Sequence, residues 1–174
     1  MSGFETERLV MRPWRENDAE ALYKYASDPE VGPAAGWPVH TSVEDSLRVL
    51  REVLIKDKTW AVTIKLCDEP VGSIGAFPTD APGADGEPEI GYWIGRPFWG
   101  NGYIPEAVRT LISRCFDEGA ENVWCSHFAG NDKSRRVIEK CGFRYMLTQP
   151  WQPTAEDKRD ALYYKITREE WEHD

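Results

Sequence analysis

Between residues 89 and 128 the chain runs strand, amphipathic helix, strand, and this succession constrains the fold more than any other feature. Glu89–Ile94 reads as a strand. Val108, Leu111, Ile112, Cys115 and Phe116 then fall at i, i+3, i+4, i+7 and i+8, the spacing of one buried helix face. Val123–Phe128 reads as a second strand. Pro105 suits the first helical position, where its missing N–H costs nothing, and Gly119 stops the helix. A strand–helix–strand unit makes its two strands parallel through a right-handed crossover. Upstream, apolar and polar residues alternate through Trp60–Leu66, as in a half-buried strand. Asp68-Glu69-Pro70 turns the chain, and Val71–Phe77 returns as an antiparallel partner. The expected fold is an α/β domain of three layers, with helices packed on a mixed sheet.

The remaining punctuation fits this frame. A first strand around Leu9 and Met11 ends at Pro13, and Asn17 offers a cap for a helix over Asp18–Ala26. Gly32, Pro33, Gly36 and Pro38 mark residues 29–41 as a loop. Ser42 with Asp45 resembles a capping box opening a helix to about Lys56, with Leu47, Leu50 and Leu54 as its buried stripe. Asn131 is a good N-cap, Ser134, Val137, Ile138 and Cys141 form a helical stripe, and Gly142 suits C′. Two last strands are expected near Phe143–Thr148 and Ala161–Thr167. With 174 residues and no linker or repeat, one domain over residues 1–174 is expected.

Charge and cysteine usage narrow the function. The net charge of -9 repels phosphate backbones, so no nucleic-acid partner is expected, although one local anion site remains compatible with it. No apolar run approaches the ~20 residues of a membrane span, so no membrane partner is expected. The N-terminal stretch to Arg8 is charged and lacks an apolar signal core, which points to the cytoplasm. Cys67, Cys115, Cys125 and Cys141 are scattered, as are His40, His127 and His173; reduced thiols and no metal are expected.

Trp99-Gly-Asn-Gly-Tyr-Ile-Pro-Glu-Ala107 is the most informative stretch. Two glycines one apart, between a strand and a helix, let the backbone approach a ligand. They turn N–H groups toward it at the positive end of the helix dipole. That is an anion cradle suited to a pyrophosphate; a tight turn that needs glycine explains the same residues. Gly-x-Gly-x-x-Gly fails because Pro105 holds the third position, and no Gly-Lys-Ser/Thr occurs. Downstream, Ser134 shares its stripe with apolar residues, and a buried hydroxyl needs a partner, in its own helix or elsewhere.

Glu89-Ile-Gly-Tyr-Trp-Ile94, Trp99–Ala107, Asn131-x-x-Ser134 and Glu139-Lys-Cys-Gly-Phe143 together resemble the GNAT acetyltransferase superfamily, most of all its ribosomal-protein N-acetyltransferases of RimJ/RimL type. Order and spacing match across about residues 5–167. The resemblance implies a mostly antiparallel sheet whose one parallel pair splays to admit a cofactor arm. It also implies acetyl-CoA as cosubstrate and an amine as acceptor. Carried over by residue, it puts the pyrophosphate loop on Gly100, Asn101, Gly102, Tyr103 and Ile104. Trp93 and Ile94 end the strand that pairs with pantetheine. Asn131 binds the pantetheine side, Ser134 donates to the leaving thiolate, and Lys133, Arg135 and Arg136 are local phosphate partners. The chain departs from the pattern in three places. Pro97 stands where Gln or Arg is usual, with Arg96 adjacent; Ile138 stands where many members carry a tyrosine acid; and Gln149-Pro-Trp-Gln-Pro153 replaces a region that supplies a glutamate in some members.

Direct attack by a neutral amine needs no cysteine nucleophile. An α-amine, with pKa about 7.7–8, needs little help from a base, whereas a lysine amine needs more. Glu89 is the first candidate base, with a solvated strand-edge carboxylate as its alternative reading. His127 is the second, with a hydrogen-bonded strand histidine as its alternative. Trp14, Trp37, Trp99 and Trp151 lie in or beside loops; the segment Gly36–His40 faces the acceptor in this fold, and Asp80, Asp85 and Glu87 can attract a cation. The expected function is acetyl-CoA-dependent N-acetyl transfer to a protein N-terminus or a small amine, by a monomer or homodimer. A non-catalytic acyl-CoA-binding or sensing domain is the alternative.

Overall fold

The computed structural model describes residues 2–56, 59–84 and 86–173. In chain order the strands are β1 (Phe4–Glu5), β2 (Leu9–Pro13), β3 (Thr59–Ile64), β4 (Pro70–Pro78), β5 (Pro88–Ile94), β6 (Asn122–Phe128), β7 (Arg144–Trp151) and β8 (Arg159–Thr167). The helices are α1 (Ala19–Ala26), α2 (Gly32–Ala35), α3 (Val43–Val49), α4 (Tyr103–Asp117), α5 (Asp132–Lys140) and α6 (Arg168–Glu172). The strands hydrogen-bond in the order β1-β2-β3-β4-β5-β6-β8-β7. β5 and β6 are parallel, while β1–β2, β2–β3, β3–β4, β6–β8 and β7–β8 are antiparallel. This is the expected mixed α/β sheet. The chain divides into two compact units, residues 1–75 with 92–107, and residues 76–91 with 108–174.

In the first unit, Trp14, Ala19, Leu22, Ala26, Leu50 and Ala61 form a core, against which Trp37, Leu47, Leu54 and Trp93 pack. The pair Arg12 and Asp18 is buried beside it. Arg12 Nη1 and Nη2 donate to Asp18 Oδ2 and Oδ1 at 2.9 and 2.8 Å, and Arg12 Nε donates to Asp68 at 2.6 Å. Asp18 also accepts from the Arg15 amide at 2.8 Å. Asn17 therefore does not cap α1; the chain enters through a 3₁₀ turn over Glu16–Asp18. Residues 32–35 of the expected loop form the short helix α2, closed by Gly36 at φ +92°. Ser42 Oγ accepts from the Asp45 amide at 3.0 Å, but Asp45 reaches back to the Thr41 amide rather than to Ser42. α3 ends at Val49 and continues as one π-helical turn over Leu50–Leu54, not as a uniform helix to Lys56. Trp60, Ala61, Val62 and Thr63 are all buried, so β3 is covered on both faces rather than half-buried. Leu66, with φ +71° and full exposure, lies past its end.

In the second unit, Val108, Leu111, Ile112, Cys115 and Phe116 are all buried, as the spacing predicts. α4 opens at Tyr103, so Pro105 is its third residue rather than its first. The first four amides of a helix have no intrahelical partner, so Pro105 still costs nothing. Ala81, Ala84, Trp124, Ala161 and Tyr163 form a core with Phe128, Leu147 and Trp151. α5 opens on Asn131, whose Oδ1 accepts from the Ser134 amide at 3.2 Å, and ends before Gly142 at φ +88°. α6 carries a full capping box between Thr167 and Glu170. Next to it, Arg168 Nη2 donates to the carbonyls of Phe116 and Ala120 at 2.5 and 2.8 Å, and its amide donates to Glu121 at 3.0 Å.

Candidate active site

The glycine loop lies in the first unit. Gly100 and Gly102 take φ +77° and +76°, a left-handed conformation that β-carbon-bearing residues avoid. Asn101 Nδ2 donates to the carbonyls of Phe98 and Trp99 at 3.0 and 3.2 Å, closing the turn on itself. Trp99 Nε1 donates to the Ile94 carbonyl at 2.9 Å, tying the loop to the end of β5. Tyr103 and Ile104 begin α4, so the loop leads directly into a helix N-terminus. Trp93 is half-buried, stacked 6.5 Å from Trp14 and edge-on to Trp37 at 5.6 Å. Trp37 in turn lies 5.2 Å from His40. Arg96, beside the departure at Pro97, pairs with Asp28 at 2.8 Å and with Glu30 at 3.9 Å.

Asn131, Lys133, Ser134 and Arg135 lie in the second unit. Asn131 uses its side chain as the α5 N-cap, on the Ser134 amide, while Ser134 is half-buried. Lys133, Arg135 and Arg136 are exposed, and Arg135 pairs with Asp132 at 3.3 Å.

Glu89, in the same unit, is not a solvated carboxylate. It is 7% exposed, and its two oxygens accept from Thr79 Oγ1 at 2.7 Å and Ser126 Oγ at 2.5 Å. The parallel register, Glu89 opposite Trp124 and Ile90 opposite Cys125, sets Ser126 one residue beyond that rung. Burial pushes the Glu89 carboxyl above its ordinary value, the hydroxyls of Ser126 and Thr79 pull it back, and Asp80 adds to the rise. A carboxyl raised in this way is suited to proton transfer nearer neutral pH. His127 is also buried. Its Nδ1 lies 2.9 Å from the Phe128 carbonyl, which can only accept, so Nδ1 carries the proton. Nε2 lies 3.2 Å from the Tyr164 hydroxyl, which donates to it when the ring is neutral. Ser126 reaches Glu89 and His127 reaches Tyr164, so these two strand neighbours serve different partners.

Among the acidic candidates, Asp80 is exposed, and Glu87 accepts from Asn122 Nδ2 at 2.5 Å and from Trp124 Nε1. Asp85 lies outside the described residues. Trp14 is a core residue, and Trp151 packs 4.6 Å from Phe128, so neither is an open loop aromatic. Burial pushes the thiols of Cys115 and Cys141 up to about 11 and that of Cys125 well above its usual range, which makes them poor nucleophiles.

Sequence reasoning missed Arg8, which binds the glycine loop. Arg8 Nη1 donates to the Asn101 carbonyl at 2.9 Å, Nε pairs with Glu106 at 2.7 Å, and the guanidinium lies 4.7 Å from the Tyr103 ring centre. Its partners are more than ninety residues away, and nothing local marks it beside Glu5 and Glu7. Thr79 and Ser126 were also missed. Ser126 was legible from the parallel pairing itself, which brings the β6 hydroxyl beside the β5 carboxylate.

The sequence profile of the acetyltransferase (GNAT) domain matches residues 8–144. The uncharacterized N-acetyltransferase p20 of Bacillus licheniformis is 33% identical over 121 residues, 67% of this chain and 67% of that protein. The FsC-acetyl coenzyme A-N(2)-transacetylase of Aspergillus fumigatus is 32% identical over an alignment of 194 positions, covering 95% of this chain and 76% of that protein. The crystal structure of a GNAT-family acetyltransferase from Bacillus anthracis superposes with a TM-score of 0.81 at 24% identity, over 97% of this chain and 99% of that one, which shows the shared fold. By profile, relatives and fold together, the chain belongs to the GNAT family and is an acetyltransferase.

Proposed function

We propose that this enzyme transfers an acetyl group from acetyl-CoA to a primary amine, either a protein N-terminal α-amine or the amine of a small molecule. The observation that carries the donor reading is the left-handed pair Gly100 and Gly102 leading straight into α4. A glycine loop that runs into a helix N-terminus favours an anion, which supports this reading. Gly100–Ile104 hold the diphosphate, Trp93 and Ile94 flank the pantetheine, and Asn131 and the basic side chains of Lys133 and Arg135 bind further parts of the same cosubstrate. The amine nitrogen attacks the thioester carbonyl, the C–S bond breaks, and the CoA thiolate leaves with a hydrogen bond from Ser134. The amine proton passes to Glu89, directly or through one water, with His127 as the second candidate. The raised Glu89 carboxyl supports the first choice. The engagement of both His127 nitrogens weighs against the second.

The whole chain is read as one GNAT domain acting in the cytoplasm as a monomer or homodimer. Among the described residues no helix is long and apolar enough to cross a membrane, and no cluster of His, Cys, Asp and Glu has the make-up of a metal site. The RimJ/RimL likeness of the motifs favours an N-terminal α-amine. The test is thiol release from acetyl-CoA across a panel of N-terminal peptides, polyamines and aminoglycosides. Turnover with one class identifies the acceptor. Tight CoA binding with no turnover identifies an acyl-CoA-sensing domain instead.

A further inference from the structure

Glu106 is the fourth residue of α4 and stands a few residues from the glycine loop. A carboxylate in the first turn favours the helix dipole, yet it is an anion where a diphosphate would approach. Arg8 answers that charge. Its Nε pairs with Glu106 Oε2 at 2.7 Å and its amide donates to Oε1 at 2.8 Å, while Thr6 Oγ1 also donates to Oε1. Desolvation works to raise the Glu106 carboxyl, but the donors from Thr6 and Arg8 outweigh it and hold it below its ordinary value, so it is ionised at neutral pH.

The same guanidinium fixes the loop. The Asn101 peptide lies between two left-handed glycines, the residues that allow a peptide plane to turn most freely. Arg8 Nη1 holds the Asn101 carbonyl at 2.9 Å, and Arg8 Nη2 lies 3.4 Å from where a Cβ on Gly102 would stand. One side chain, 43% exposed, thus binds Asn101 and Glu106 and lies over the Tyr103 ring.

We propose that Arg8 is a positioning residue for the diphosphate of the acyl-CoA. It holds the Asn101 carbonyl and the Glu106 carboxylate away from the phosphates, so that backbone amides and not these oxygens meet them. The proposal rests on the reading of Gly100–Ile104 as the diphosphate loop.

The test compares two donors, acetyl-CoA and acetyl-pantetheine, which ends before the diphosphate, in thiol-release kinetics with the best acceptor found. Arg8→Ala is expected to raise KM for acetyl-CoA about tenfold or more, equivalent to about 1.4 kcal/mol, with kcat within about twofold. KM for acetyl-pantetheine is expected to stay within about twofold. Arg8→Lys, which keeps the charge but not the planar fork, falls between. Adding Glu106→Gln to Arg8→Ala recovers part of the loss, because the negative charge that the guanidinium had answered is removed. Equal KM changes with both donors would make Arg8 a purely structural residue and overturn the proposal, as would an unchanged KM for acetyl-CoA. A wild-type enzyme that does not distinguish the donors would overturn the diphosphate-loop reading and the proposal with it. If Arg8→Ala does not fold, the Arg8→Lys ratio between the two donors decides.

Discussion

Ser126 donates its hydroxyl to Glu89 across the parallel strand pair, Oγ to Oε1 at 2.5 Å. With Thr79 on the other oxygen, the carboxylate is buried yet fully served by hydroxyls. Hydroxyls can reorient, so the site accommodates either protonation state, an arrangement suited to a group that gains and loses a proton.

Glu89→Gln is expected to lower the rate at neutral pH and to regain part of it at higher pH, where more amine is already neutral. His127→Asn is expected to do less. The pH–rate profiles of both variants with one acceptor check this; a neutral limb lost only in His127→Asn reverses the assignment.

The same carboxyl predicts a stability effect. Its folded pKa lies above the ordinary value of 4.5, so the unfolded chain ionises first as pH rises. The contribution of Glu89 to stability is therefore greatest below that value and is lost as pH climbs through the folded pKa. The stability difference between wild type and Glu89→Gln, from urea unfolding, should fall across that window and level off above it.

Gly102→Val puts a β-branched residue at φ +76° and a Cβ 3.4 Å from Arg8 Nη2. Strain of about 1–2 kcal/mol is expected in stability. CoA affinity, by calorimetry on folded protein, should drop at least about tenfold, or about 1.4 kcal/mol.

Ser134→Ala keeps the α5 cap bond, because Asn131 Oδ1 accepts from the backbone amide of residue 134. A loss of kcat of about 10²–10³ with little change in CoA affinity is expected if the hydroxyl serves the thiolate. Asn131→Ala removes the cap and should cost about 1 kcal/mol of stability.

Asp18→Ala strips Arg12, itself 7% exposed, of its bidentate partner. Breaking a buried pair from one side costs about 3–5 kcal/mol, so the urea midpoint should fall sharply. Asp68, 67% exposed at its side chain, compensates little.

What was legible in the sequence was periodic. The stripe from Val108 to Phe116 and the caps at Asn131 and Gly142 read out directly, because each depends on neighbours within a turn or two. β3 misled because alternation only reveals cover on one face; Ala61 and Thr63 are small or weakly polar enough to be buried on the other. Asn17 is a good cap by type, yet the N-cap position of α1 falls on Asp18, whose carboxylate serves Arg12 and the Arg15 amide rather than the helix. The capping box Thr167-x-x-Glu170 was visible but went unread after a strand. Arg8 was hidden because its role depends entirely on residues brought to it by the fold.

Arg168 has a consequence for the order in which the protein is made. It binds carbonyls at Phe116 and Ala120, just where α4 ends. On a ribosome those carbonyls emerge some fifty residues before the guanidinium that seals them. Until translation reaches that point, the Phe116 carbonyl has the Gly119 amide at 3.0 Å, and water serves the Ala120 carbonyl in place of the guanidinium. A pause between the codons for Ala120 and Arg168 would therefore prolong the exposure of a half-finished second unit rather than of the first.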